Sequence, residues 1–184
     1  MMNKRNENLN VVEMKNIYKY FGEFCANEDV NFDLRQGEIH ALLGENGAGK
    51  STLMNILYGL YSHDKGMIKV MGEEVEINNP SDAISQGIGM VHQHFMLVPH
   101  MTVTENIFLG MKSAGFKLDR DALNKRVHDL SCRYDFKVNP TSYIWQLPVG
   151  LQQKVEILKL LMRDTHILIL GATAASKKPY KQAI

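Results

Sequence analysis

The sequence predicts an α/β fold built around a mostly parallel sheet. Three observations carry that expectation. Short apolar runs that suit strands alternate with stretches whose apolar residues recur at helical spacing. A glycine-rich loop, Gly44-Glu45-Asn46-Gly47-Ala48-Gly49-Lys50-Ser51-Thr52, stands between one such run and one such stretch. A helix-patterned region from about residue 100 to 150 interrupts the alternation and reads as an inserted helical subdomain.

Taken in order, residues 11–34 read as short strands: Val11, Val12 and Met14 precede Tyr18, Tyr20 and Phe21, and Val30-Asn31-Phe32-Asp33-Leu34 alternates at period two. Gln36-Gly37 is a turn. Glu38-Ile39-His40-Ala41-Leu42-Leu43 has the composition of a compact buried strand running into Gly44. Beyond Lys50, the apolar residues Leu53, Ile56, Leu57 and Leu60 fall on one helical face. Gly66 to Asn79 predicts a hairpin with its turn near Met71-Gly72. Pro80-Ser81-Asp82 opens a short helix, and Ile88-Gly89-Met90-Val91 is a buried strand. Thr104 is the expected cap of a helix through Leu109. Asp119 to Tyr134 is an amphipathic helix, with Leu123, Val127 and Leu130 at helical spacing. Gln152 to Met162 is an apolar helix, and Ile167 to Leu170 a last buried strand. Trp145 is expected to pack. Residues 171–184 hold Lys177, Lys178 and Lys181 around Pro179 and predict a poorly packed tail.

Composition narrows the class. With 184 residues, 45% of them apolar, the chain is long enough for one domain with a core and is neither fibrous nor disordered. Its 21 basic and 20 acidic residues offer no whole-chain reason to expect nucleic acid as a partner. Cys25 and Cys132 stand far apart, so a disulfide framework is not expected and a reducing compartment is the default. No apolar run approaches the roughly 20 residues that cross a bilayer. The polar residues 1–10 lack the apolar core of a secretory signal. No internal repeat stands out.

The loop is where the chemistry begins. Gly44, four residues, then Gly49-Lys50-Ser51 is the spacing of a phosphate-binding loop. Glycines let the backbone curl and turn its N–H groups inward, and a helix starting near Lys50 adds a positive end. Lys50 can reach β and γ phosphates, and Ser51 can ligand magnesium through its hydroxyl. The loop alone does not separate transport ATPases from kinases or GTPases. The histidines His92 and His94 have no carboxylate or cysteine spaced with them as metal partners.

Three further segments narrow the family. They are Gln93 at the end of the strand through Val91, the run Leu147-Pro148-Val149-Gly150-Leu151-Gln152-Gln153-Lys154-Val155-Glu156-Ile157, and the strand Ile167 to Leu170. In order and spacing these resemble the ATP-binding subunits of ABC transporters, over residues from about 11 to 170. Glu38 to Gly47 and Gly89 to Pro99 look most like the branch that imports simple sugars and nucleosides. The resemblance implies a P-loop NTPase core of ABC type, with an antiparallel β subdomain and an inserted helical subdomain, incomplete at its C-terminus. It implies ATP and Mg2+ as cofactors, held by residues 44–52, with Lys50 and Gln93 in catalytic roles and Ser51 and Gln93 at the metal. Phe21 aligns with the aromatic that stacks on adenine, a position where an aromatic can equally serve a core. Leu147, Pro148, Val149, Gly150, Leu151 and Gln152 match the signature that closes over ATP held by a second domain in a head-to-tail dimer. Phe95, Met96 and Met101 are either core or a docking groove for a membrane-subunit helix. The implied partners are membrane-spanning permease subunits and, indirectly, a solute-binding protein. The implied place is the cytoplasmic face of the cell membrane.

Two departures matter. Pro148 stands where the wider family has a serine, and proline offers neither hydroxyl nor N–H. Gly171 and Ala172 stand where the family places an aspartate and then a glutamate, the second anchor for magnesium and the group that activates water. Weak binding with hydrolysis near background is therefore the expected behaviour. The pattern after 170 is expected of the N-terminal part of a longer transport ATPase, cut short or shifted in frame. The alternatives are a non-hydrolysing ATP-binding module, an inactive fragment, or another phosphate-loop enzyme such as a small-molecule kinase, against which the signature segment argues.

Overall fold

The computed structural model describes residues 9–91, 96–111 and 119–171. Gln93, His92, His94, Phe95, Ala172 and the lysine-containing tail lie outside the described residues. The chain divides into two compact units, Met1–Gly89 and Met90–Ile184.

In the first unit, β1 (Asn10–Phe21) and β2 (Phe24–Arg35) form one long antiparallel hairpin, with Phe21 opposite Phe24 across a turn at Gly22 and Glu23. This corrects the expectation of short strands. The polar break at Lys15-Asn16 is absorbed as a bulge instead of ending the strand. Asn16 takes a left-handed φ of 51°. Its N–H donates to Asn31 Oδ1 at 3.0 Å and its Nδ2 to Asp29 Oδ1 at 2.7 Å. Asparagine tolerates that backbone region better than most residues.

β3 (Lys65–Val70) and β4 (Glu73–Glu74) complete a four-stranded sheet of order β2-β1-β3-β4, antiparallel throughout. The predicted hairpin turns at Met71-Gly72, although its return strand is only two residues long. The larger sheet is thus the antiparallel β subdomain that the resemblance implies, not the mostly parallel sheet that the alternation of strands and helices predicts. Two of its three strand pairs are closed by two-residue turns, which only antiparallel neighbours permit. Val12, Met14 and Ile17 of β1 are buried with Ile68 and Val70 of β3.

The strand expected at Glu38 to Leu43 does not form. Ile39 is 99% exposed and Leu43 89%. A strand exists only where its N–H and C=O groups find a neighbour, and no described strand pairs with this run. α1 (Lys50–Leu57) follows the loop and buries Leu53, Ile56 and Leu57, as its spacing predicts, but Leu60 lies beyond its end and is exposed, which corrects its place on that face. α2 (Pro80–Ser85) starts at the predicted Pro80. Asn79 caps it, accepting from the N–H groups of Ser81 and Asp82 at 2.9 and 3.1 Å, and Asp82 reciprocates.

β5 (Ile88–Val91) crosses the division point and pairs with β6 (Ile167–Leu170). β5 is buried along its whole length. β6 alternates instead of being fully buried: Ile167 and Ile169 are covered, Leu168 and Leu170 exposed.

The second unit is otherwise helical. α3 (Val103–Phe108), α4 (Arg120–Arg133) and α5 (Val149–Leu161) share an apolar cluster that includes Val103, Ile107, Val127, Ile144, Val155 and Leu158. α4 begins after Asp119, whose carboxylate accepts from the N–H groups of Asp121 and Ala122. The cap of α3 is Thr102, not Thr104. Thr102 and Glu105 form a reciprocal capping box, with bonds of 3.2 and 2.9 Å. Thr104 lies in the first turn, buried, its hydroxyl unpaired. α5 starts three residues before the expected Gln152, because Pro148 at its N-cap already holds a φ of −60°. Trp145 is 61% exposed, which corrects its reading as a packing residue; the core position falls to Ile144 beside it.

Candidate nucleotide site

Gly49 ends the loop as the N-cap of α1, at φ 76° and ψ 0°. A Cβ there would lie 2.3 Å from the Ala26 carbonyl oxygen and 2.6 Å from Asn27 Nδ2, so the loop can rest on β2 only through a glycine. The Gly49 carbonyl accepts from Leu53 N–H at 2.9 Å, the first bond of the helix, and from Asn27 Nδ2 at 3.3 Å. Ahead of that bond, the N–H groups of Lys50, Ser51 and Thr52 have no intrahelical partner. No acidic side chain stands in that turn. These are the conditions in which a helix end attracts an anion.

Lys50 lies back along the loop. Its Nζ donates to the carbonyls of Gly44 at 2.8 Å and Glu45 at 2.6 Å. The ammonium is thereby poised over the loop's concave side, and both bonds can be exchanged for phosphate oxygens, which carry charge where the carbonyls do not. Glu45, Asn46, Gly47, Ala48 and Ser51 are exposed, and Thr52 is half-buried.

Sequence reasoning missed Asn27. It is 5% exposed and opposite Lys19 in the β1–β2 ladder, the same ladder that ends at Phe21. Phe21 sits two residues along β1 from Lys19, roughly 7 Å at strand rise. The hairpin therefore ties the phosphate loop and Phe21 into one frame. Phe21 is 44% exposed, so it is not a core aromatic. Tyr61 meets it edge-on at 5.3 Å, and Lys19 Nζ lies 5.5 Å from its ring centroid. Asp64 accepts from Tyr20 N–H at 2.7 Å and pairs with Lys19 at 3.5 Å. The Tyr20 bond, then the Lys19 charge, hold the Asp64 carboxyl below the usual carboxylate range.

In the second unit, the Leu147 to Gln152 segment forms the start of α5. Pro148, Val149 and Gly150 are exposed, and nothing crowds Gly150. Gln152 turns inward, donating from Nε2 to the Leu147 carbonyl at 2.9 Å and the Ile144 carbonyl at 3.4 Å. What this end offers a ligand is bare helix N-terminus. Leu147 and Leu151 are half-buried and pack on the helical cluster. Glu156, a second residue the sequence reading passed over, is buried on α5 and accepts from Met96 N–H at 2.8 Å. Its signal was available: a carboxylate in an otherwise apolar helix. It anchors the chain three residues after Gln93, which itself lies outside the described residues. Met96 is exposed and Met101 half-buried.

Residues 44–52 fit a polyphosphate: free N–H donors at the start of α1 with no acidic side chain in that turn, one ammonium, and a single carboxylate, that of the exposed Glu45. A magnesium ion would have the hydroxyl of exposed Ser51 here, phosphate oxygens and water supplying most of the ligands in such sites. Gly171, whose N–H donates to the Val91 carbonyl at 3.1 Å, adds no carboxylate. Among the described residues no group of three or more His, Cys, Asp or Glu side chains is placed to hold a metal ion. No described helix is long and apolar enough to cross a membrane.

Comparison with known proteins gives the family and the fold. The ABC transporter family model matches residues 27–173. The chain is 50% identical to the guanosine import ATP-binding protein NupO of Bacillus subtilis (strain 168), over 93% of this chain and 34% of that protein. It is 51% identical to the nucleoside import ATP-binding protein NupA of Lactococcus lactis subsp. cremoris (strain MG1363), over 94% and 34%. A glucose import ATP-binding protein, TsgD13 of Haloferax volcanii, is 44% identical over 91% and 36%. The chain thus spans about a third of the length of these relatives. Among solved structures, a nucleotide-free ATP-binding cassette from an ABC transporter superposes with a TM-score of 0.76 at 24% identity, covering 88% of this chain and 68% of that one. At that identity the likeness speaks for the fold alone. With the family model covering most of its length, the chain belongs to the ABC transporter family.

Proposed function

We propose that this chain is the ATP-binding component of an importer for nucleosides or simple sugars. The observation that carries the reading is the phosphate loop, seated on Asn27 of the hairpin that also presents Phe21. The nucleoside and sugar import relatives support the branch. In this reading residues 11–170 are a partial nucleotide-binding domain with its helical insertion at about 100–150, flanked by tails at 1–10 and 171–184.

ATP lies with its phosphates on the loop and its base against Phe21. Lys50 leaves the Gly44 and Glu45 carbonyls for the β and γ phosphates. Magnesium, bound with the nucleotide, neutralises phosphate charge, and Ser51 and Gln93 are the residues that would hold it. Gln93 also orients the attacking water. The bare start of α5, from Leu147 to Gln152, faces the ATP of a second nucleotide-binding domain in a head-to-tail dimer. Permease subunits, and through them a solute-binding protein, complete the importer at the cytoplasmic face of the membrane.

Hydrolysis is the weak step. Water activation needs a group that accepts or orients a proton, and Gly171 and Ala172 supply none. The chain therefore binds ATP and turns it over at background rate. Titration with ATP should show saturable binding that Lys50→Ala abolishes, and steady-state phosphate release should stay at the level of that variant. Turnover of about 1 per second or more, the ordinary enzyme range, would overturn the non-hydrolysing part of the reading. Binding indifferent to Lys50→Ala would overturn the site.

A further inference from the structure

Phe21 poses a problem that the phosphate loop does not. It closes a hairpin, its ring is partly exposed, and a phenyl group has no hydrogen bond to hold it. The ring torsion of phenylalanine is broad, so a stacking platform at such a place needs outside support.

We infer that the loop following α1 supplies that support, with Tyr61 and Asp64 acting as positioning residues that make Phe21 a platform open on one face to a nucleotide base. The inference rests on the nucleotide-binding reading above. Tyr61 meets the Phe21 ring at 5.3 Å with an interplanar angle of 80°, the edge-to-face arrangement that aromatic quadrupoles favour. Lys19 Nζ lies over one face, 5.5 Å from the centroid. Asp64 Oδ1 holds that ammonium at 3.5 Å. The same residue grips the strand beneath: its Oδ2 accepts from Tyr20 N–H at 2.7 Å, and its own N–H donates to the Tyr18 carbonyl at 2.8 Å. One short loop thus meets the backbone that carries Phe21, the cation over its ring and the ring itself. Phe21 stays 44% exposed, so ring surface is left for a planar ligand.

The test uses the full chain and two ligands, ATP and inorganic tripolyphosphate, which lacks a base. Dissociation constants are measured for the unsubstituted chain, Lys50→Ala, Phe21→Ala, Tyr61→Ala, Tyr61→Phe and the Phe21→Ala/Tyr61→Ala double variant, with circular dichroism confirming the fold. Tyr61→Ala is expected to weaken ATP by about three- to ten-fold, the scale of one aromatic pair. Tripolyphosphate should hold within about two-fold. Tyr61→Phe keeps the ring edge and should restore ATP affinity. In the Phe21→Ala background, Tyr61→Ala should add no further loss. If Tyr61→Ala does not fold, Tyr61→Leu, which keeps bulk without the ring edge, takes its place with the same expectations.

The positioning role is overturned by equal weakening of both ligands, by additive losses in the double variant, or by unchanged ATP affinity in Tyr61→Ala. It also falls if Phe21→Ala leaves ATP affinity unchanged while Lys50→Ala abolishes binding, and then the phosphate-loop reading stands. If Lys50→Ala changes neither ligand, the nucleotide-binding reading fails and this inference goes with it.

Discussion

A methyl group at position 49 has nowhere to go. It would meet the Ala26 carbonyl oxygen at 2.3 Å, on backbone already at φ 76°. Gly49→Ala should therefore cost stability, roughly 1–3 kcal/mol for the backbone conformation alone and more for the clash, read as a lower melting temperature. ATP binding should fall with it, since the loop can no longer seat on β2. A melting temperature unchanged by Gly49→Ala would mean the loop does not rest where it is described. The motif spelled the loop and its helix, and even named Lys50 and Ser51. It did not name Asn27, because an asparagine in the middle of a strand looks the same whether its amide meets solvent or a distant carbonyl. Trp145 stands exposed and Glu156 buried for the same reason: residue type predicts burial on average, and partners decide the particular case.

Among the elements, α3 shows how local chemistry outweighs local appearance. Two threonines compete for its cap, and Thr102 prevails because Glu105 lies three residues on and returns the hydrogen bond. Thr102→Ala should cost about 0.5–2 kcal/mol in denaturant unfolding. The pH dependence follows from the partner. The Thr102 backbone N–H, then its side chain, hold the Glu105 carboxyl below its ordinary value of 4.5. A carboxylate whose folded pKa is depressed adds stability above its unfolded value, and loses it as the pH falls through the folded one. Glu105→Gln should flatten the acid limb of stability below about pH 4.5; an acid limb identical in both proteins would exclude the box as its source. Strand length is the opposite lesson. The polar break in β1 became a bulge and the apolar run at 38–43 stayed unpaired. Ladder partners, not composition, make strands.

Across the whole molecule, the two units rest on different physics. The first is a sheet held by ladder bonds, two hairpins joined through the β1–β3 pair, with α1 and α2. The second is a cluster in which α3, α4 and α5 bury one another's apolar faces. Leu158 is fully buried in that cluster, and Leu158→Ala should cost about 2–5 kcal/mol. Trp145, the only tryptophan in the chain, lies in this unit, so its fluorescence reports the transition directly. A Leu158→Ala midpoint equal to the unsubstituted one would mean the cluster does not hold this unit together.

The sequence by itself determined the phosphate loop, the helices at 50–57, 80–85 and 120–133, and the strand at 88–91, along with the family its spacing resembles. Each depends on residues near one another in the chain: glycines that permit a turn, caps, and apolar periodicity. Only the tertiary structure decided that β1 and β2 run as one long hairpin, that residues 38–43 form no strand, that Gly49 leans on Asn27, and that Tyr61 and Asp64 meet the strand end that carries Phe21. Those outcomes depend on which distant groups satisfy each other's hydrogen bonds and cover each other's apolar surface, and no local pattern records that choice.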